Sequence, residues 1–343
     1  MDTHKRKSIV NRFLSGGYHV EMGNSLYFFD FRLPAQFKSY LDHMYYKYYQ
    51  KALDNGLLTK EEKIKEMESL GKWDGKKDYL IEKYKDDMKE MKKEYYKSVF
   101  NNKKKGKIKK EYKELKQNFL DLANEKHSLV SEGTCESFAF DVINRCKYSK
   151  IVKENNNCLD EDRFLNKAFI TQIEYAIYEN NIGEEEIREV ARTNPWRLYW
   201  NNGDSSPKDI FGISMSDVSD EQQEICYWSS FYDNIYEAYE RPSNEVIEDD
   251  LAIDGWYLLK SEEREKEQAK KEIVDKAGDN KEIFVVTDAE NAKKVYDMND
   301  EHVRNAMKRR DKIIKEQSAA SEEDLVQKGG IGQAGLFVGQ RKK

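Results

Sequence analysis

ARTNPWRLYW (191–200), followed after a loop by QEICYWSSFYDNIYEAYERPSNEVIEDDLAIDGWYLL (223–259), is the stretch around which the chain is organised. Residues 191–259 hold Trp196, Trp200, Trp228 and Trp256, four of the five tryptophans, and Pro195, Pro207 and Pro242, three of the four prolines. Large aromatics bury the most surface per residue, so this is where so polar a chain can best build a core. The stretch is also acidic and almost free of lysine. It reads as a packed, negatively charged docking module with helical arms attached.

Composition limits what surrounds it. Hydrophobic residues make up 38% and charged residues 36% of the 343, against roughly 45–50% and about 25% in an ordinary globular chain. Much of the chain is therefore solvated helix over thin cores. Few prolines and abundant Lys, Glu and Asp favour helix over strand. The net charge of −6 gives no overall pull on nucleic acid, and nucleic acid is disfavoured as a partner. No apolar run approaches the roughly 18–20 residues of a membrane span, so no membrane partner is expected. The basic start MDTHKRKSIVNRFL has no apolar region of the kind a secretory signal carries. Cys135, Cys146, Cys158 and Cys226 have no metal-type spacing and fit reduced thiols.

In chain order, residues 1–17 read as a loose basic lead. Residues 18–33 read as a small β-hairpin about Gly23-Asn24. Pro34 opens a helix whose face carries Phe37, Tyr40, Leu41, Met44, Tyr45 and Tyr48. Thr59 and Glu62 form a capping box for the next helix. In 74–130, Leu80, Tyr84, Met88, Met91 and Tyr95, then Ile108, Tyr112, Leu115, Phe119 and Leu122, recur every three or four residues around NNKKKG (101–106). Such narrow seams predict an antiparallel coiled-coil hairpin that projects as an arm with a solvated lysine tip. Residues 131–181 predict two helices separated by a polar loop at 155–158, with Phe138, Val142, Phe164, Phe169, Ile173 and Ile177 in a core.

A short helix at 184–192 stops before Asn194-Pro195, and 204–207 is a loop. Ser219 and Gln222 cap a helix that puts Ile225, Trp228, Tyr232 and Ile235 on one face. Pro242 starts another helix. Residues 260–276 form a charge-mixed linker helix, 282–287 (EIFVVT) a strand followed by a helix, and the tail from Ser318 is polar and Gly-rich. The fold class is mainly α: a helical protein with a projecting coiled-coil hairpin, a small N-terminal β-hairpin and a minor α/β element near the C-terminus. Its segments are 1–73, 74–130, 131–259, 260–317 and 318–343.

No catalytic set is legible. Gly330, Gly332 and Gly335 match a dinucleotide fingerprint as a string but lie too near the chain end for the strand–helix context it needs. Glu248, Asp249, Asp250 and Asp254 are the densest acid cluster. The oxygen ligands of a calcium loop are missing at Ala252 and Ser261, and a solvated or partner-binding edge is favoured over a magnesium site. The five histidines are scattered, and Cys226 reads as a small buried thiol. Arg192, Asn194, Trp196, Arg197 and Trp200 form the most distinctive set. Trp and Arg dominate protein-recognition hot spots, yet a Trp-anchored helix packed on Trp228 and Trp256 is favoured for the tryptophans, with the arginines open. The protein-binding candidates are therefore Arg192, Asn194, Trp196, Arg197, Trp200, Trp228, Asp249, Asp250, Asp254 and Trp256. No cofactor and no metal is expected.

The order NPWRLYW (194–200), YWSSFYDNIYE (227–237), PSNEVIEDDLAIDGW (242–256), preceded by LLTKEEKIKEMESLGKWDGKKD (57–78), resembles tail assembly chaperones or tail-associated structural proteins of large tailed bacteriophages, over roughly residues 40–260. The resemblance implies a non-enzymatic, protein-binding role in the host cytoplasm during virion assembly, with a tail protein such as the tape measure as client. Its partners would be other tail or virion proteins, with a homo-oligomer also open. A structural virion component, such as a baseplate or neck adaptor, is the alternative. A metal-dependent enzyme acting on nucleic acid through the acidic cluster is the second.

Overall fold

The computed structural model describes residues 1–155, 157–203 and 207–277. The expected strand at 282–287, the helix after it, the glycine motif at 330–335 and the tail lie outside the described residues, as does most of the 204–207 loop.

The basic lead is helical. Asp2 accepts a hydrogen bond from the Lys5 amide to start α1 (Thr3–Ser15), and Gly16, at φ 70°, closes it in the left-handed conformation. Its lysines and arginines suggested a loose segment, but Ile9, Val10 and Phe13 share one face and are buried in the largest core. The hairpin forms as expected from β1 (Gly17–Met22) and β2 (Ser25–Asp30), with Met22 opposite Ser25. Gly23 alone takes positive φ in the two-residue turn, the arrangement that a glycine-first hairpin turn requires.

α2 (Ala35–Asp54) begins after Pro34, which stands at its cap rather than as its first residue. The Thr59–Glu62 capping box opens α3 (Lys60–Ser69). α4 (Gly75–Lys97) and α5 (Asn102–Val130) form the antiparallel hairpin: Lys77 pairs with Glu125 near one end and Lys104 with Glu94 near the other. The lysine-rich turn itself is exposed from Asn101 to Lys104, as a solvated tip requires, but the helix ends that flank it are docked. Tyr95 and Ile108 enter the main core. Ile81, at the opposite end, packs with Met67 and Trp73. Tyr84, Met88, Tyr112 and Leu115, between the two ends, stay half-buried.

α6 (Cys135–Ile151) lies along α2 and leads into β3 (Val152–Glu154) and β4 (Asn157–Cys158), which extend the hairpin to a four-stranded antiparallel sheet in the order β1-β2-β3-β4. The expected polar loop is thus partly strand. A 3₁₀ turn (Glu161–Leu165) precedes α7 (Lys167–Glu179). Tyr27, Phe29, Ile151, Phe164 and Ile173 fill the core between sheet and helices.

The remaining helices are α8 (Glu184–Ala191), α9 (Trp196–Asn202), α10 (Pro207–Phe211), α11 (Asp220–Tyr236), α12 (Asn244–Glu248) and α13 (Asp250–Ala277). The Ser219–Gln222 capping box starts α11. Pro242 precedes α12 by two residues and does not open it. The main core joins α1, the bend of the α4–α5 hairpin and α8–α13, so segments 1–73, 74–130 and 131–259 build one compact unit, Met1–Leu259. A second unit begins at Lys260. Its described part belongs to α13 and carries a Lys260–Glu263 ion pair.

Candidate functional site

Three aromatics at four-residue spacing on α11, Trp228, Tyr232 and Tyr236, each carry a guanidinium. Arg188 of α8 lies 4.2 Å from the Trp228 ring centre and Arg192, one turn later, 5.7 Å from that of Tyr232. Arg197 of α9 lies 5.7 Å from the Tyr236 ring centre, and Arg241 lies 4.8 Å from it. Helical spacing on α8 matches that on α11, so successive arginines meet successive rings.

Carboxylates bind this ladder from the other side. Arg188, whose side chain is 3% exposed, donates to Asp254 at 2.7 Å, pairs with Asp250 at 3.2 Å and reaches Glu184 at 3.3 Å. Arg192 pairs with Asp250 and donates to the Tyr232 hydroxyl at 2.8 Å. Arg197 donates to Asp233, which also accepts from the Trp200 indole at 2.6 Å. The docked hairpin supplies further cations. Lys92 pairs with Asp254 at 2.8 Å and Lys105 with Asp249 at 2.9 Å, while the Tyr95 hydroxyl donates to Asp249 at 2.8 Å.

Burial works against the Asp254 carboxylate, but the hydrogen bond and charge of Arg188, with Lys92, outweigh it and hold the carboxyl below the usual range. Asp249 is likewise depressed, its burial overcome by Lys105 and Tyr95. Asp30 in the sheet is depressed, its burial overcome by Arg32 and Lys153. A carboxyl depressed in the folded state adds stability above its unfolded value, about 3.9 for Asp. That stability is lost as pH falls through the folded value. Thermal unfolding followed against pH is therefore expected to show Tm falling below about pH 4. Equal Tm at pH 7 and pH 3 would contradict these assignments.

The structure redistributes the residues singled out from sequence. Trp196, Trp200 and Trp256 are buried, and cannot face a partner in this fold. Trp196 donates to Ser229 at 2.7 Å and packs against Trp200, Phe211 and Phe13. Trp228 is half-buried under Arg188, and Asn194 is exposed. Asp250 and Asp254 share Arg188, Asp249 meets Lys105, and Glu248 lines a cleft beside Arg241. Among the described residues, no three His, Cys, Asp or Glu side chains gather as metal ligands. The three aspartates of the acidic edge are thus half-buried, with their charges answered within the chain, while Glu248 is exposed. Burial pushes the Cys226 thiol up to about 12, which leaves it inert near neutrality.

A second feature lies on the surface. Along α2 and α6, Tyr45 stacks on Tyr49 (ring centres 6.0 Å apart) and meets Tyr46 edge-on at 5.8 Å and Phe140 at 5.2 Å. Tyr46 is 68% and Phe140 46% exposed. Lys60 lies 5.6 Å from the Phe140 ring centre. The sequence pattern placed Tyr45 on one broad face of its helix but did not disclose this ledge. Arg188, Lys92 and Lys105 were missed as well. The four-residue spacing of Arg188 and Arg192 against Trp228, Tyr232 and Tyr236 was the available signal.

The chain is a mainly α-helical protein with a small antiparallel sheet. No family model matches it, and neither does any curated protein or solved structure. Among the described residues, no helix is long and apolar enough to cross a membrane.

Proposed function

We propose that the protein is a non-enzymatic, protein-binding factor of bacteriophage tail assembly, acting in the host cytoplasm as a chaperone for a tail protein such as the tape measure. The aromatic ledge of Tyr45, Tyr46, Tyr49 and Phe140 carries the reading. Exposed Tyr46 and Phe140, contiguous with half-buried Tyr45 and Tyr49, leave apolar area in water, and tyrosine supplies contact area with little conformational entropy to lose. The motif order of 194–256 and the preceding 57–78 segment supply the link to tail proteins.

The test is capture of partners by the tagged full-length chain from cells making its native neighbours. Deleting 191–259 would remove the main core, so the comparison is the point variant Tyr46→Glu combined with Phe140→Ser. One dominant virion protein is expected with wild type, reduced about tenfold or more in the variant at unchanged Tm, since one or two anchors of this kind are worth that much. Capture of nucleic acid alone, or equal capture by the variant, would sink the proposal. Presence of the chain in purified particles would favour the structural-component alternative over the chaperone.

A further inference from the structure

The guanidinium ladder runs out of carboxylates at its last rung. Arg188 is matched by Asp254, Asp250 and Glu184, Arg192 by Asp250, and Arg197 by Asp233. Arg241, stacked on Tyr236, hydrogen-bonds Asn244 Oδ1 at 2.7 Å and has no carboxylate within ion-pair distance among the described residues. Arg197, on the same ring, has a buried Nη1 without an acceptor. At this rung a cleft of about 440 Å³ opens, with Glu189, Arg192, Thr193, Tyr236, Arg241 and Glu248 among its walls. That volume falls within the roughly 300–1,000 Å³ of small-ligand sites.

We propose that this cleft is an anion site that receives a carboxylate from a partner polypeptide, an Asp or Glu side chain held by the Arg241 guanidinium. The inference deepens the protein-binding reading and rests on it. A planar guanidinium fork presents paired N–H donors to a carboxylate and gains charge-assisted hydrogen bonds. The rest of the lining selects a single negative charge. Glu189 is answered by Arg6 at 2.9 Å, while Glu248 stands exposed, with no cation paired to it among the described residues, and opposes every added anion. A monoanionic carboxylate meets less repulsion there than a phosphate near its second ionisation.

The experiment is calorimetric titration of the full chain, at low salt, with the singly charged peptide N-acetyl-Ala-Glu-Ala amide and, separately, with inorganic phosphate. Saturable peptide binding is expected, weakened about tenfold by Arg241→Gln, the loss of one charge-assisted contact. Glu248→Gln is expected to tighten it about two- to threefold by removing an exposed like charge. Both side chains are exposed and form no ion pair among the described residues, so both variants should melt like wild type. Absence of saturable binding, or binding indifferent to both substitutions, overturns the site. Phosphate binding tighter than the peptide overturns the polypeptide carboxylate as its ligand. Loss of peptide binding with the captured partner retained would remove the cleft alone, whereas failed capture would remove the assembly role.

Discussion

Gly255→Ala is expected to destabilise the Met1–Leu259 unit by about 2–3 kcal/mol, the upper part of the range for overpacking a close-packed contact. For a unit of this size that is a Tm lowered by roughly 5–10 °C. The cause is a backbone approach between two helices. A Cβ on Gly255 of α13 would fall inside the van der Waals radius of the Lys92 carbonyl of α4, with the Tyr96 Cβ next nearest. The obstacle is main chain, so no rotamer change relieves it, and the helices must separate. Separation would also pull Asp254, the preceding residue, away from Lys92. Gly106→Ala in α5 is the control. A Cβ there meets nothing within 4 Å, and replacing a helical glycine by alanine contributes roughly 0.8–1 kcal/mol of stability. The same chemical change should thus have opposite signs at two glycines, as read by calorimetry or far-ultraviolet circular dichroism. A Gly255→Ala protein melting within about 1 °C of wild type, well below the expected shift, would mean that α13 does not cross α4 at this point.

What could be read from sequence was local. Thr59 with Glu62, Ser219 with Gln222 and the Gly23-Asn24 turn are decided by neighbours three or fewer positions apart, and all three form as read. The α4–α5 seam was legible because its period is that of one helix pair. Tertiary pairing was not legible. Lysines near the hairpin bend have the composition of a solvated tip, and nothing within 74–130 discloses that Asp249 and Asp254, more than a hundred residues later, neutralise Lys105 and Lys92. The same long-range pairing turned the aspartates of the acid cluster from an open edge into a half-buried, paired seam. Arg12 shows why the basic N-terminal segment looked loose. Its charge is answered by Glu221 and its guanidinium lies 3.7 Å from the Tyr18 ring centre, partners that local periodicity cannot supply. Tyr46 and Phe140 were not singled out at all, because a helix such as α2, with aromatics on more than one side, gives no single face to bury.

Arg188→Met is expected to cost about 3–5 kcal/mol, the range for removing one member of a buried charge network. The side chain is buried between the Trp228 ring and Asp254. Methionine fills part of the space and keeps some contact with the ring, but it leaves Asp254 with Lys92 alone and Asp250 with Arg192 alone. Arg188→Lys should fall between wild type and methionine: it keeps the charge but loses the fork that reaches Asp254, Asp250 and Tyr232 together. Simple loss of packing predicts the same Tm drop at every pH. Loss of the ion network does not. Burial pushes the Asp254 carboxyl up and Arg188 is the first group holding it down, so without Arg188 its folded value rises. Its stabilising contribution is then lost at a higher pH than in wild type. The acid limb of the Tm–pH curve should move upward in Arg188→Met. The double variant with Asp254→Asn should recover part of the loss, with a coupling of about 0.5–3 kcal/mol as for residues sharing one network. Parallel Tm–pH curves with strictly additive single and double variants would reduce Arg188 to a space-filling residue and leave the ladder on α11 without an electrostatic role.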